Sequence, residues 1–134
     1  EAFRQRAGGS LAIISKQHPD ADATETLEMV GDVDGKNVVI VDDMISTGGT
    51  LVEGAELLKA RGAARIDVCA THGVFAGDAI DLIEASPIDT IMVTDTIPLP
   101  DHGKGRVKVV SVAPLLAEAI MRTHKDLSVS ALFT

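Results

Sequence analysis

The sequence predicts an α/β domain with a mainly parallel central sheet flanked by helices, and three observations carry that prediction. Val38-Val39-Ile40-Val41 is an unbroken β-branched run, the pattern of a strand buried on both faces of a parallel sheet rather than an alternating, half-exposed one. From Leu51 the period changes, with Leu51, Ala55 and Leu58 at i, i+4 and i+7 and Glu53, Glu56 and Lys59 among them, which is an amphipathic helix. Apolar runs and helical patterns then keep alternating to His124. Strands separated by helices pair in parallel and gather their βα loops at one edge.

The composition fits one domain. At 134 residues and 46% hydrophobic content, residues 1–134 can bury a core without cross-links. With three Phe and neither Trp nor Tyr, aliphatic side chains must fill it. Cys69 is the single cysteine, so no internal disulfide forms; its apolar surroundings predict a buried thiol, and a reducing cytoplasm fits. The net charge of −8, from 20 acidic and 12 basic residues, argues against a nucleic-acid surface and an anionic-membrane patch. No apolar run approaches the roughly 20 residues of a membrane span, and no leader pattern is visible. The chain starts at Glu1 without Met, and Glu1 to Ala7 reads as the tail of a helix capped by Gly8-Gly9. The expectation is a piece of a longer polypeptide.

Taken in order, Leu11 to Ile14 is a short strand, and Ser15-Lys16-Gln17-His18-Pro19 with polar Asp20 to Glu25 opens a mobile loop over residues 15–26. Leu27 to Val33 and Lys36 to Val41 bracket Asp34-Gly35, which predicts a hairpin and one antiparallel strand. Asp32 and Asp34 are turn formers there, not metal ligands. The first helix ends near Arg61-Gly62. Ile66 to Ala70 is a buried strand leading to Thr71-His72-Gly73, which puts His72 on the edge that carries Asp42, as a turn residue beside Gly73 rather than a catalyst. Asp78 to Ala85 is a short helix, and Ile88 to Val93 a strand ending in Thr94-Asp95-Thr96. Pro98 to Arg106 is a loop, Val107 to Val112 a strand, and Ala113 to His124 a helix that Pro114 opens. The tail from Leu127 to Phe133 alternates apolar and small residues, so it is expected to pair at a sheet edge or with another subunit. No Cys or His spacing suits zinc.

The chemistry concentrates between the Val38 strand and the Leu51 helix. The glycines of Ser46-Thr47-Gly48-Gly49-Thr50 let the backbone turn sharply while the first N–H groups of the helix stay unpaired, which is an anion site. Asp42 and Asp43 precede it, where the strand is expected to leave the sheet. A carboxylate repels phosphate, but it accepts hydrogen bonds from sugar hydroxyls or holds a hydrated magnesium ion. The spacing matches neither a P-loop nor a dinucleotide fingerprint. Hydroxyl acceptors beside an anion turn indicate a sugar phosphate.

The stretch Val41 to Thr50, Val-Asp-Asp-Met-Ile-Ser-Thr-Gly-Gly-Thr, resembles the ribose-5-phosphate loop shared by type I phosphoribosyltransferases and phosphoribosyl pyrophosphate synthetases, the ribose-phosphate diphosphokinases. Leu11-Ala12-Ile13-Ile14 leading into Lys16, Ala70-Thr71-His72-Gly73, Thr94 to Pro98, Leu116 to Ile120 and Ser128 to Phe133 resemble the synthetase in particular, over the carboxyl-terminal half of that protein. The resemblance implies a phosphoribosyltransferase-like fold and transfer of the pyrophosphoryl group of ATP to ribose 5-phosphate, giving phosphoribosyl pyrophosphate and AMP. It implies Mg2+, held by Asp42 and Asp43 through water, an amino-terminal half that helps to hold ATP, and a homo-oligomer. In the same terms Asp42 and Asp43 hold the ribose hydroxyls, Ser46, Thr47, Gly48, Gly49 and Thr50 the 5-phosphate, and Lys16 the migrating charge. His18 stands where the family has an arginine, and Ser15 and Gln17 also depart from its Asp-Lys-Arg-Arg-Pro run. An imidazole with an ordinary pKa of about 6.5 is largely neutral at neutral pH and lacks the planar fork that grips phosphate. Ser46 replaces the family's Asp and keeps a capping oxygen. The rival readings are a phosphoribosyltransferase using phosphoribosyl pyrophosphate and a non-catalytic synthetase-associated subunit.

Overall fold

The structure, a computed structural model, describes residues 4, 6, 8–17, 26–103 and 107–133. Strands β1 (Ile13–Gln17) and β2 (Thr26–Val30) form an antiparallel pair, with Ile13 opposite Val30 and Gln17 opposite Thr26. A separate parallel sheet contains β3 (Asn37–Ile45), β4 (Arg65–Gly73), β5 (Thr90–Thr94) and β6 (Val107–Val110), in that order. Helix α1 (Gly49–Ala60) follows β3, α2 (Ala79–Glu84) follows β4, and α3 (Ala113–His124) follows β6. None of the described helices is long and apolar enough to cross a membrane.

Strand order equals chain order, so right-handed crossovers put α1 and α2 on one face of the sheet. Val68 and Ala70 of β4 and Ile91 and Val93 of β5 are buried with Val52 of α1 and Ala79, Ile80 and Ile83 of α2, and Ile66 of β4 is buried with Ala55 and Leu58 of α1. The opposite face is open, and Val39 and Val41 are 45% and 52% exposed. This corrects the expectation of a strand buried on both sides. A β-branched run sets the strand tendency, but burying its alternate members needs a second covering layer, which the described residues do not supply.

The turn at Asp34-Gly35 forms, with the Lys36 N–H donating to the Val33 carbonyl at 3.0 Å and Gly35 at φ 66°. It does not close a hairpin. β2 pairs with β1, and β3 runs parallel to β4. Tertiary contacts capture the turn: the Gly35 N–H donates to the Gly62 carbonyl at 2.9 Å, and the Ala64 N–H donates to that of Lys36 at 2.9 Å. Val33 is buried with Leu58, Ala63 and Ile66, which steers the chain under the sheet instead of back along β2.

Two further boundaries differ. β1 continues through Ser15, Lys16 and Gln17, paired with Glu28, Leu27 and Thr26, while residues 18–25 of the expected loop lie outside the described residues. The tail forms a 3-10 turn over Val129–Leu132 rather than a strand. Arg122 holds it against α3, donating to the Ser128 carbonyl at 3.1 Å while its Nε meets Glu118 Oε1 at 2.8 Å. At the other end, the Gly8 N–H caps the Arg4 carbonyl at 3.0 Å with Gly8 at φ 64°, as the Gly8-Gly9 pattern predicts.

Candidate functional site

β3 keeps its pairing to Ile45, so Asp42 and Asp43 lie within the strand, not beyond it. Ser46, Thr47 and Gly48 then turn the chain into α1. With Asp42 and Met44 this turn encloses a pocket of about 180 Å³ that extends to Leu51. Neighbouring strand residues point to opposite faces, and of the acidic pair it is Asp42 that lines the pocket. The Asp42 Oδ1 also accepts the Asp43 N–H at 2.8 Å.

The two glycines do different work. Gly48 is buried at φ 79°, and a Cβ there would meet Ile83 at 3.2 Å, so both the backbone and the α2 contact demand glycine. Gly49 begins α1, and a Cβ there would meet nothing within 4 Å, so its missing side chain leaves open space in the pocket. The Val52 N–H closes the first helical turn onto the Gly48 carbonyl at 2.9 Å. No side chain caps α1 and no acidic residue occupies its first turn, which leaves the positive end of the helix for an anion.

The loop after β4 braces this turn. The Val74 and Phe75 N–H groups donate to the Ile45 carbonyl at 3.0 and 3.2 Å, and the Ala76 N–H donates to that of Ser46 at 3.1 Å. Phe75 is 4% exposed and sits at φ 49°, a conformation uncommon away from glycine, which its buried ring and the hydrogen bond to Ile45 hold in place. A Cβ at Gly73 would come within 2.5 Å of the Phe75 ring. Sequence reasoning missed this brace; Gly73 and Gly77 flanking a lone Phe were its one signal.

Further along the same edge, His72 Nδ1 lies 2.8 Å from Thr96 Oγ1, and the Thr94 hydroxyl donates to the Thr71 carbonyl at 2.6 Å. His72 pairs with Met44 in the sheet, beside the pocket but not in its lining. Asp95 accepts the Val112 N–H at 2.9 Å, and its hydrogen bonds to Ser111 and Val112 hold its carboxyl below the usual range. Cys69 is half-buried, not fully buried; burial, with the Asp67 charge, raises its thiol pKa.

Asp42 and Ser46 to Thr50 therefore converge on one pocket, with Asp43 adjacent. Lys16 is in β1 opposite Leu27, and its side chain, like all of His18, lies outside the described residues. Among the described residues no group of three His, Cys, Asp or Glu could hold a metal. Two adjacent exposed carboxylates suit Mg2+, which keeps several waters and completes its shell with substrate phosphates.

The chain is 51% identical over 133 residues to a ribose-phosphate pyrophosphokinase of Caldanaerobacter subterraneus subsp. tengcongensis, covering 98% of this chain and 42% of that protein. It is 50% identical over 129 residues to one of Thermotoga maritima, covering 96% and 41%. A crystal structure of phosphoribosylpyrophosphate synthetase from Mycobacterium smegmatis superposes with a TM-score of 0.83 at 33% identity, covering 92% of this chain and 40% of that one. This chain thus spans about two fifths of the length of the relatives it matches. Residues 9–134 match the phosphoribosyl synthetase-associated domain, and the chain belongs to that family.

Proposed function

We propose that this chain supplies the ribose 5-phosphate site of a ribose-phosphate diphosphokinase, a cytoplasmic, homo-oligomeric enzyme of nucleotide biosynthesis. One observation carries the reading: the pocket of about 180 Å³ joins an uncapped helix start to Asp42, a carboxylate in the carboxyl-terminal half of parallel strand β3. The 5-phosphate sits on the N–H groups of the Ser46 to Thr50 turn, and Asp42 and Asp43 accept hydrogen bonds from the ribose hydroxyls. The anomeric hydroxyl oxygen attacks the β-phosphorus of ATP, the bond from that phosphorus to the oxygen bridging to the α-phosphate breaks, AMP leaves with that oxygen, and the hydroxyl proton passes to solvent. Asp42 and Asp43 would hold Mg2+ through water, where it would offset the phosphate charge, and the resemblance gives Lys16 the migrating charge and His18 a part in binding substrate. The chain has neither Trp nor Tyr, and in this reading ATP is held largely by the rest of the polypeptide.

The test is turnover by the whole polypeptide with ATP, Mg2+ and ribose 5-phosphate, following AMP. Stoichiometric AMP and phosphoribosyl pyrophosphate support the reading. Sugar-phosphate binding without AMP would replace it with a non-catalytic synthetase-associated subunit. Consumption of phosphoribosyl pyrophosphate with a base, and no reaction with ATP, would replace it with a phosphoribosyltransferase.

A further inference from the structure

The Ile45 to Thr47 backbone walls the sugar-phosphate pocket, and none of residues 72–77 lines it. The loop between β4 and α2 stands behind that wall. It sends three successive N–H groups to two carbonyls of the turn, those of Val74 and Phe75 to Ile45 and that of Ala76 to Ser46, at 3.0, 3.2 and 3.1 Å. In a trans peptide the carbonyl and the following N–H point opposite ways, and none of the described peptide bonds is cis. With the Ile45 and Ser46 carbonyls tied back, the Ser46 and Thr47 N–H groups turn to the side that the pocket occupies. A carbonyl rotated into the pocket would exchange a donor for an acceptor there and set its partial negative charge against a phosphate.

The Val74 bond continues the β3–β4 ladder, in which Ile45 stands opposite Gly73. The other two bonds need a different backbone. Successive N–H groups of an extended strand face opposite neighbours, so three in a row reach one neighbour only where the chain leaves the strand. Phe75 leaves it at φ 49°, a left-handed conformation that gathers successive N–H groups on one side. A Cβ disfavours that conformation by about five- to thirtyfold in population. The ring offsets this, because Phe75 is buried in one cluster with Ile45, Ala79, Ile80, Ile83 and Val93, over a glycine at position 73 that leaves room for it.

We propose that Phe75 is a positioning residue of the sugar-phosphate site, a role that rests on that pocket being the ribose 5-phosphate site. Its left-handed backbone, held by the buried ring, ties back the Ile45 and Ser46 carbonyls and so aims the N–H groups of the turn at the bound phosphate.

Phe75→Ala and Phe75→Gly in the whole polypeptide separate this role from packing. Both remove the ring, but glycine takes a left-handed angle without cost and alanine does not. Calorimetry with ribose 5-phosphate, on variants shown by circular dichroism to be folded, should find Phe75→Ala at least about tenfold weaker than the parent. Phe75→Gly should bind at least about threefold tighter than Phe75→Ala. A ring that served packing alone would give the glycine variant no advantage. Affinity in Phe75→Gly no better than in Phe75→Ala, or parent affinity in both, overturns the positioning role and leaves the site itself standing; a parent that binds no ribose 5-phosphate overturns both. Residue-resolved hydrogen exchange on the ligand-free parent needs no variant. The Phe75 and Ala76 amides should exchange at least about a hundredfold more slowly than in an unstructured peptide. Exchange within about tenfold of the unstructured rate would mean that the two carbonyls are not held, and overturns the proposal.

Discussion

Ile83 of α2 lies directly against Gly48 of the β3–α1 turn, with its Cδ1 and Cγ1 atoms 3.2 Å from where a Gly48 Cβ would stand. The second helix thus sets how closely the turn approaches the core, although it contributes no residue to the pocket.

Gly48→Ala should destabilise the protein by about 1–2 kcal/mol, because a left-handed backbone angle is imposed on a residue with a Cβ. The Ile83 contact adds to that cost. Adding Ile83→Val, which removes Cδ1 and keeps a γ carbon, should recover only part of the steric cost, and chemical denaturation of both single variants and the double variant reads the difference. A Gly48→Ala variant as stable as the parent would show that the turn relaxes freely.

Gly49→Ala separates binding from folding. Its Cβ meets no protein atom within 4 Å, so stability should hold within about 1 kcal/mol. The added methyl intrudes on the anion's space, and calorimetry should find ribose 5-phosphate affinity at least about tenfold weaker. Unchanged affinity would move the phosphate off this turn.

Asp42→Asn should weaken ribose 5-phosphate binding by about 1.5–3 kcal/mol, the range for hydrogen bonds to a charged acceptor. Titration of the whole polypeptide with and without Mg2+ checks it. If Asp42 serves the sugar hydroxyls, the loss persists without the metal; a loss seen in Mg2+ alone assigns the residue to the ion.

Asp95 joins the end of β5 to the start of α3 and has a depressed folded pKa. A depressed carboxyl contributes stability that is fully present above its unfolded pKa of about 4 and is lost as pH falls through the folded value. Asp95→Asn should therefore melt below the parent at pH 6 and approach it near pH 2. Parallel melting curves across that range would count against the assignment.

Local chemistry made several elements legible. Leu51, Ala55 and Leu58 marked α1, Pro114 opened α3 within its first turn, Gly62 sits at φ 89° where the helix was expected to end, and the Ser46 to Thr50 turn forms where its glycines stand. Each depends on residues a few positions apart, so the sequence states it directly. Partner choice does not. Asp34-Gly35 specifies a turn whether β2 goes on to meet β3 or β1, and the burial of Val33 with Leu58, Ala63 and Ile66 decides between them. Phe75 bracing Ile45 pairs residues far apart in the chain and left no periodic trace. Val39 and Val41 read as core residues from composition, yet the helices stack on the other face of the sheet, because strand order and crossover handedness belong to the whole sheet rather than to any run within it.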